Sequence, residues 1–123
     1  MAFTGTTIET AVRALANDED VSAERYTDAQ LIEWINEATR LIWEGAPRSR
    51  FNGSGAIGTF AEIDALANAV CFFYDKWQQP IIDYCMMRMM EMEGDDTQDL
   101  KRARFYAGRF EAFTGIMVQL RGV

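Results

Sequence analysis

The sequence predicts a small all-α domain, a bundle of about four helices with a long glycine-rich loop between the second and the third. Apolar residues recur at helical spacing in four segments, these segments begin or end at capping residues, and glycines cluster in one stretch between them. With 123 residues the chain is long enough to bury its own core, so we expect a single domain.

The first two helices are each predicted to begin at a capping box. Thr6 is followed three residues later by Glu9, and Thr27 is followed at the same spacing by Gln30. The acidic run of residues 17–20 is expected to end the first helix. Both starts place a hydroxyl where it can accept a hydrogen bond from a free backbone amide of the first turn.

The second helix is predicted to extend from about Asp28 to Glu44. Gly45 is expected to end it, because glycine readily adopts the left-handed conformation that follows a last helical turn, and Pro47 comes soon after. Apolar residues of this helix cover an arc of about 200°, whereas one core contact needs little more than 100°. The helix therefore carries more apolar surface than a single contact would use.

Residues 46–62 contain three glycines and have no helical period, so we predict an exposed loop. Structureless loops of this length are uncommon in compact domains and are often binding segments. Phe51, Ile57 and Phe60 are apolar side chains that a plain linker would lack, and they are candidates for docking to a partner. The alternative is that they fold back over the core.

Residues 63–74 have both helical spacing and a strand-like apolar run, and we favour an irregular or extended conformation. Asp75 is then predicted to cap the third helix, which tolerates Pro80 only because Pro80 lies near the first turn. The third helix is expected to end at Gly94.

The fourth helix is predicted to begin at Asp95 or Asp96 and to end at Thr114, before Gly115. Residues 116–123 then form a short apolar tail that either packs on its own domain or docks on another molecule. We expect the tail to dock on another molecule. Truncation after Gly115 is therefore expected to leave the fold intact and to abolish this docking. The candidate docking side chains of the tail are Ile116, Met117, Val118 and Leu120.

Composition opposes several classes of function. The chain has no His, which removes His-dependent catalysis and the commonest metal ligand. Cys71 and Cys85 lie too far apart for a redox or zinc motif and are expected to be free thiols. The net charge of −7 opposes binding of nucleic acid through its phosphates, and no apolar stretch is long enough to span a membrane. We expect no enzymatic activity and no cofactor.

Acidic residues cluster where the third helix gives way to the fourth. The cluster lacks the alternating oxygens and closing Glu of a calcium loop, and carboxylates are favoured at a helix start by its dipole, so we expect no metal there. A carboxylate-based enzyme remains an alternative, since any two acids can meet in space. The cluster comprises Glu91, Glu93, Asp95, Asp96 and Asp99.

The third helix is apolar on more than one face. Tyr84, Met87 and Met90 project away from its main apolar stripe, and a helix with two apolar sides is normally covered twice. The second cover is either another subunit or the rest of the chain's own core. We predict subunit contacts through Trp34 and Trp43 of the second helix together with Tyr84, Met87 and Met90.

Arg88 is the one cation of the methionine-rich stretch of residues 81–92, and it needs carboxylates or carbonyls to offset its desolvation. Glu91 lies one turn away, and Asn36 or Glu37 is the alternative partner if the second and third helices pack together. We predict a structural ion pair, Arg88 with Glu91, and leave open whether Arg88 pairs within one subunit or between two.

Three segments, residues 25–47, 77–96 and 100–115, taken together resemble the head–tail adaptor (connector) proteins of tailed bacteriophages. Residues 25–47, RYTDAQLIEWINEATRLIWEGAP, are similar to that family's second helix: an Arg, an aromatic residue and Thr-Asp lead into a helix with a central Asn and a following Pro. Residues 77–96 and 100–115 are similar to its later pair of helices, with an Arg at the place of Arg88 and a closing aromatic, Phe110, before a Gly. The order and spacing of the three segments carry the resemblance.

The resemblance implies a structural virion protein that forms a ring, commonly of twelve copies, beneath the portal at the head–tail junction. Such a ring joins capsid to tail and extends the channel through which DNA passes without specific binding. The implied partners are the portal protein, a downstream tail or stopper protein and further copies of the chain, assembled in the cytoplasm of a bacterial host. The alternative is a small helical regulatory or binding protein that works as a dimer.

Overall fold

The computed structural model describes residues 3–16, 26–92 and 97–120, and it confirms the all-α fold class and the long loop between the second and third helices. Two short 3₁₀ turns, Pro47–Arg50 and Asp75–Trp77, lie at the two ends of this connection. The helices within these described ranges are α1 (Gly5–Ala16), α2 (Asp28–Gly45), α3 (Gln78–Met92) and α4 (Thr97–Thr114).

α1 begins slightly earlier than the sequence predicts and without the expected Thr6–Glu9 capping box. Thr4 and Thr7 instead exchange backbone-to-hydroxyl hydrogen bonds of 3.4 Å. The amide of Thr6 donates to the carbonyl of Leu66 at 2.8 Å, so a distant loop satisfies part of the helix start. Sequence spacing does not reveal a partner that far along the chain.

α2 begins at the predicted capping box but ends differently from the prediction. Thr27 Oγ1 accepts from the Gln30 amide at 3.1 Å, and Gln30 Oε1 accepts from the Thr27 amide at 2.8 Å. Gly45 is the last helical residue and is not left-handed. A Cβ at Gly45 would lie 2.7 Å from Cδ1 of Ile116, so this glycine permits the close approach of the chain after α4.

α4 ends as predicted, with Gly115 in the left-handed conformation at a φ of 76°. Residues 63–74 form turns and bends, which confirms the expected irregular conformation. The predicted end of the third helix at Gly94 and the predicted caps Asp95 and Asp96 lie outside the described residues.

α3 is the central helix of the fold, because α1, α2 and α4 all pack against it. Every residue from Pro80 to Met90 is buried, as expected for a helix that is apolar on more than one face. The exposed fractions of Tyr84, Met87 and Met90 are 1%, 0% and 4%. The prediction that these three side chains contact another subunit is therefore wrong, since neighbouring elements of the same chain already cover them.

The two tryptophans assigned to subunit contacts also serve the chain's own packing. Trp34 is 7% exposed and lies against Tyr26, with ring centroids 5.9 Å apart. Trp43 is half-buried between Phe60 and Phe72, at centroid distances of 5.6 and 6.4 Å. The assignment of the buried Trp34 to a subunit contact is therefore wrong, whereas that of Trp43, which keeps part of its surface exposed, stays a prediction. The wide apolar arc of α2 holds irregular segments of the same chain against the helix.

Candidate functional site

The loop after α2 carries an ordered turn at its tip. Phe51 and Ile57 form an isolated antiparallel bridge, and the side chain of Asn52 accepts a hydrogen bond from the amide of Ala56 at 3.1 Å. Gly55 occupies the left-handed region, with a φ of 82°, which lets the chain reverse there. The turn leaves Phe51 42% exposed and Ile57 67% exposed, as a docking role requires.

Two further aromatic residues extend this exposed surface. Phe73 lies so close to the turn that a Cβ at Gly53 would come within 2.6 Å of its ring, and the Tyr74 hydroxyl lies 3.5 Å from the carbonyl of Asn52. The exposed fractions of Phe73 and Tyr74 are 40% and 39%. Sequence reasoning missed both, although an aromatic run without helical spacing was the available signal. We call Phe51, Ile57, Phe73 and Tyr74 the loop-tip patch.

Phe60 differs from the other two apolar loop residues. It is half-buried on Trp43, and the guanidinium of Arg40 lies 5.3 Å from its ring centroid. Arg40 in turn pairs with Glu62. Phe60 therefore anchors the loop to α2, which matches the alternative in which it folds back, and its assignment to partner docking stays a prediction.

The central Asn of α2 fastens the irregular segment that follows. Asn36 Nδ2 donates to the carbonyl of Ile63 at 2.8 Å, and the amide of Ile63 donates to Asn36 Oδ1 at 2.9 Å. These two hydrogen bonds let the side chain of Asn36 satisfy both backbone groups of Ile63, as a neighbouring strand would in a β-sheet. Asn36 is therefore engaged away from Arg88, and of the two alternatives from α2, Glu37 is the partner.

The guanidinium of Arg88 joins α3, α2 and the chain after α4. It pairs with Glu91 at 2.5 Å, which confirms the predicted structural ion pair, and with Glu37 of α2 at 3.7 Å. Two of its nitrogens lie 3.0 and 3.1 Å from the hydroxyl of Tyr84, which itself donates to Glu37 at 2.8 Å. The carbonyl of Gln119 lies 3.5 Å from Arg88. All these partners belong to the same chain.

The electrostatics of this cluster hold Arg88 charged and Tyr84 neutral. Burial by itself lowers the pKa of the Arg88 guanidinium, but the hydrogen bonds to Tyr84 and Glu91 outweigh it and raise the pKa. Burial raises the pKa of Tyr84 to about 12, and the hydrogen bond to Glu37 adds to this rise against the opposing effect of Arg88. The cluster is suited to fixing the packing of three segments and not to transferring a proton near neutral pH.

Residues 116–120, here the C-terminal segment, lie extended over the helices. Ile116, Val118 and Leu120 are half-buried against the core, whereas Met117 is 79% exposed, an alternation typical of an extended chain with one buried side. The amide of Val118 donates to the Glu111 carboxylate at 2.9 Å. Of the predicted docking residues of the tail, Met117 is therefore the most accessible. Residues 121–123 lie outside the described part.

An open depression of about 720 Å³ runs over the outer side of α2, with the C-terminal segment beside it. Its apolar lining includes Ile32, Leu41 and Val118. Its polar lining includes the Glu62–Arg40 and Glu37–Arg88 pairs, together with Glu33 and Tyr84. The depression is open enough for a side chain of a partner protein to enter.

Burial disfavours the reactive thiolate form of both cysteines. Cys85 is fully buried, and burial raises the pKa of its thiol far above the usual range, so no thiolate forms at neutral pH. Burial likewise raises the pKa of Cys71. Over residues 3–16, 26–92 and 97–120, no group of three or more Cys, Asp and Glu side chains is arranged to hold a metal ion. Glu93, Asp95 and Asp96 of the acidic cluster fall outside these ranges.

None of the helices in the described ranges has the length and apolar character needed to cross a membrane. Comparison of the chain with family models, with curated proteins and with solved structures finds no match.

Proposed function

We propose that the chain is a structural virion protein, a head–tail adaptor that forms a ring beneath the portal of a tailed phage and joins the capsid to the tail. The observation that carries the proposal is the loop-tip patch, an apolar surface held on an ordered turn at one end of a helical bundle. Exposed apolar patches of this kind mark protein-binding sites. The order and spacing of residues 25–47, 77–96 and 100–115, which resemble the adaptor family, support this choice of partner.

The packing of the domain supports a scaffold that presents two docking elements. The aromatic stack of Trp43 and Phe60 anchors the loop to α2, so the tip is displayed on a fixed base. The C-terminal segment offers Met117 from an extended chain that Arg88 and Glu111 hold in place. We assign the loop-tip patch and Met117 to contacts with the portal protein or with a downstream tail or stopper protein.

The net charge suits a conduit for DNA. At −7 the chain repels phosphates on average, so DNA can slide past a ring of such chains without being retained. In this proposal the protein has no enzymatic activity, binds no cofactor, and acts in the virion at the head–tail junction after assembly in the host cytoplasm.

Cosedimentation with a purified portal protein tests the proposal. The double variant Phe51→Ser, Ile57→Ser removes the most exposed apolar contacts of the loop tip and is expected to lose portal binding while keeping its helical circular dichroism signal. Leu15→Ser is the matched control, because Leu15 is 51% exposed on α1, outside the patch. This control is expected to bind like the unmodified chain.

Two results would contradict the adaptor function. One is a stable dimer that does not bind portal proteins, which favours the alternative of a regulatory or binding protein. The other is equal portal binding by the loop-tip variant and the Leu15 control, which would show that the loop-tip patch does not contribute to portal binding. Portal and capsid genes directly upstream of the reading frame are expected, and their absence would weigh against a virion role.

A further inference from the structure

The end of the domain that carries the loop-tip patch also carries cations. Arg48 and Lys76 are exposed and Arg50 is half-buried, and all three belong to the connection between α2 and α3. Residues 45–61 of this connection contain no acidic side chain, although the chain as a whole has a net charge of −7. Positive charge is therefore concentrated beside the loop-tip patch. We call Arg48, Arg50 and Lys76 the cationic rim.

Aromatic rings hold two of these cations next to the patch. The ammonium of Lys76 lies 5.8 Å from the ring centroid of Tyr74, a member of the patch, and 5.5 Å from the ring centroid of Trp77. The guanidinium of Arg48 lies 5.3 Å from the same Trp77 centroid. One indole ring thus keeps two like charges near each other, beside an exposed aromatic residue.

The rim cations have no carboxylate partner in the described part of the chain. Arg48 donates to the carbonyl of Phe113 at 2.9 Å, and Arg50 donates to the carbonyl of Trp43 at 2.6 Å. These carbonyls, in the last turns of α4 and α2, hold the two side chains in place but carry no net charge. The positive charge of the rim is therefore left for a partner to offset.

The acidic residues nearest to the rim along the chain are Glu44 and Asp75, which are both exposed. Neither of them forms an ion pair with a rim cation. The depression beside α2 differs in this respect, because its cations Arg40 and Arg88 already pair with carboxylates of the same chain. Among the exposed apolar surfaces described above, the loop-tip patch is thus the one bordered by cations without carboxylate partners.

We propose that the loop-tip patch and the cationic rim together bind a segment of the partner protein that has acidic side chains beside an apolar one. The apolar side chain lies on the patch, and a carboxylate lies near Arg48 and Lys76. This inference rests on the proposed adaptor function, for which it names the chemistry of the segment that the patch binds. Charges at the edge of an interface act mainly on the association rate and the choice of partner, while the apolar contact holds the complex.

A protein segment fits this surface better than the phosphates of DNA do. Ile57 is 67% exposed and Phe51 is 42% exposed, and apolar side chains such as these gain little from a phosphate backbone. Binding through phosphates depends on many cations, whereas the rim has three in a chain of net charge −7. A segment with both acidic and apolar side chains uses both parts of the surface.

The two lysines of the chain provide a matched pair of variants. Lys76 belongs to the rim, whereas Lys101 is exposed on α4 outside it. Lys76→Glu and Lys101→Glu change the net charge equally, so a difference between them in partner binding depends on position. Both variants are expected to keep the helical circular dichroism signal, because both side chains are exposed.

The rate of association with a purified portal protein, measured by surface plasmon resonance, tests the inference. At about 0.05 M salt, Lys76→Glu is expected to associate about threefold or more slowly than Lys101→Glu, and the two rates are expected to converge at about 1 M salt. Asp75→Asn is expected to associate faster than the unmodified chain, because it removes the carboxylate next to Lys76 in the sequence. Equal rates for the two lysine variants at low salt, or a difference that persists at about 1 M salt, overturn the inference.

Peptides test the chemistry without a portal protein. The end-blocked peptide Asp-Phe-Asp-Leu-Glu is expected to shift the amide NMR signals of Tyr74 and Lys76. Its amide counterpart Asn-Phe-Asn-Leu-Gln is expected to bind about threefold or more weakly at about 0.05 M salt. Equal binding of the two peptides, or shifts confined to other parts of the chain, would overturn the inference.

Portal binding separates this inference from the adaptor function. If the loop-tip variant loses portal binding while the two lysine variants associate at the same rate, the inference fails and the adaptor function stands. If the acidic peptide binds at the rim but the chain does not bind portal, the chemistry of the site stands and the adaptor function fails. If Lys76→Glu loses a mobility shift with DNA that Lys101→Glu retains, the rim binds phosphates and the inference is overturned.

Discussion

Arg88 shows how one buried cation fixes several elements at once. Its guanidinium is 8% exposed and pairs with Glu91, whose side chain is only 5% exposed. Replacing Arg88 leaves Glu91 and Tyr84 buried without their cation. Breaking a buried pair in this way costs about 3–5 kcal/mol, whereas exposed pairs contribute about 0–1 kcal/mol.

We expect Arg88→Ala to lower the free energy of unfolding by about 3 kcal/mol or more, measured by urea denaturation at pH 7. Arg40→Ala is the control, because Arg40 is 53% exposed and pairs with the partly exposed Glu62, so its loss should cost less than about 1 kcal/mol. Equal losses in the free energy of unfolding for the two variants would show that the Arg88 cluster does not stabilise the fold.

Tyr84 gives stability an alkaline pH dependence. Since folding raises the pKa of Tyr84 from 10.0 to about 12, the folded state holds this proton more tightly than the unfolded state. The resulting contribution is fully present below pH 10 and is lost as the pH rises towards 12. In Tyr84→Phe, we expect the free energy of unfolding to fall less steeply between pH 10 and pH 12. Tyr74→Phe is the control and should show the same pH dependence of the free energy of unfolding as the unmodified chain. If this pH dependence is the same in all three proteins, Tyr84 is not its source.

At the scale of elements, the C-terminal segment belongs partly to the core. Ile116, Val118 and Leu120 are each half-buried, and Ile116 occupies the space that Gly45 leaves open. Full burial of one such side chain stabilises a fold by about 1.5–3 kcal/mol, so three half-buried ones contribute several kcal/mol at most.

Truncation after Gly115 is therefore expected to preserve the helices and to lower the free energy of unfolding by about 2–4 kcal/mol. Circular dichroism reports the helices, and urea denaturation reports the stability. Met117→Ser serves as the control because Met117 is 79% exposed, and its effect should stay within about 0.5 kcal/mol. A truncated chain that is unfolded would place the segment fully in the core, and one of unchanged stability would show that the segment is not packed in solution.

At the scale of the whole molecule, charge is distributed unevenly. α4 carries the exposed cations Lys101, Arg102 and Arg104, while α2 carries four carboxylates and one cation, in a chain of net charge −7. Attraction between exposed charges is screened over a Debye length of about 10 Å at 0.1 M salt and about 3 Å at 1 M. Docking through the apolar loop-tip patch is not screened in this way, because the hydrophobic effect does not depend on charge.

We expect portal binding by the loop-tip patch, measured by cosedimentation, to persist as salt rises from about 0.1 M to 1 M, because apolar burial is not screened. Portal binding that is lost over this range would indicate a contact made mainly through charges and would exclude the loop-tip patch as its main element.

The positions of the helices could be predicted from the sequence, whereas their packing against one another could not. Thr27 and Gln30 specified the start of α2 because a capping box is local, and Gly115 specified the end of α4 for the same reason. Arg88 and Glu91 could be paired from their spacing of one turn. The exposure of Phe51 and Ile57 also followed from the sequence, since apolar residues in a glycine-rich loop have little core within reach.

Only the tertiary structure decided which apolar surfaces remain free. α3 is apolar on more than one face, and the sequence could not distinguish cover by a second copy from cover by α1, α2, α4 and the C-terminal segment. The reason is that the hydrophobic effect has no direction and both arrangements bury the same side chains. The pairing of Asn36 with Ile63 and the joining of Phe73 to the loop tip likewise depend on contacts between distant residues. The spacing of neighbouring residues along the chain determines the helix caps and turns. Packing between distant residues determines which surfaces remain free for a partner to bind.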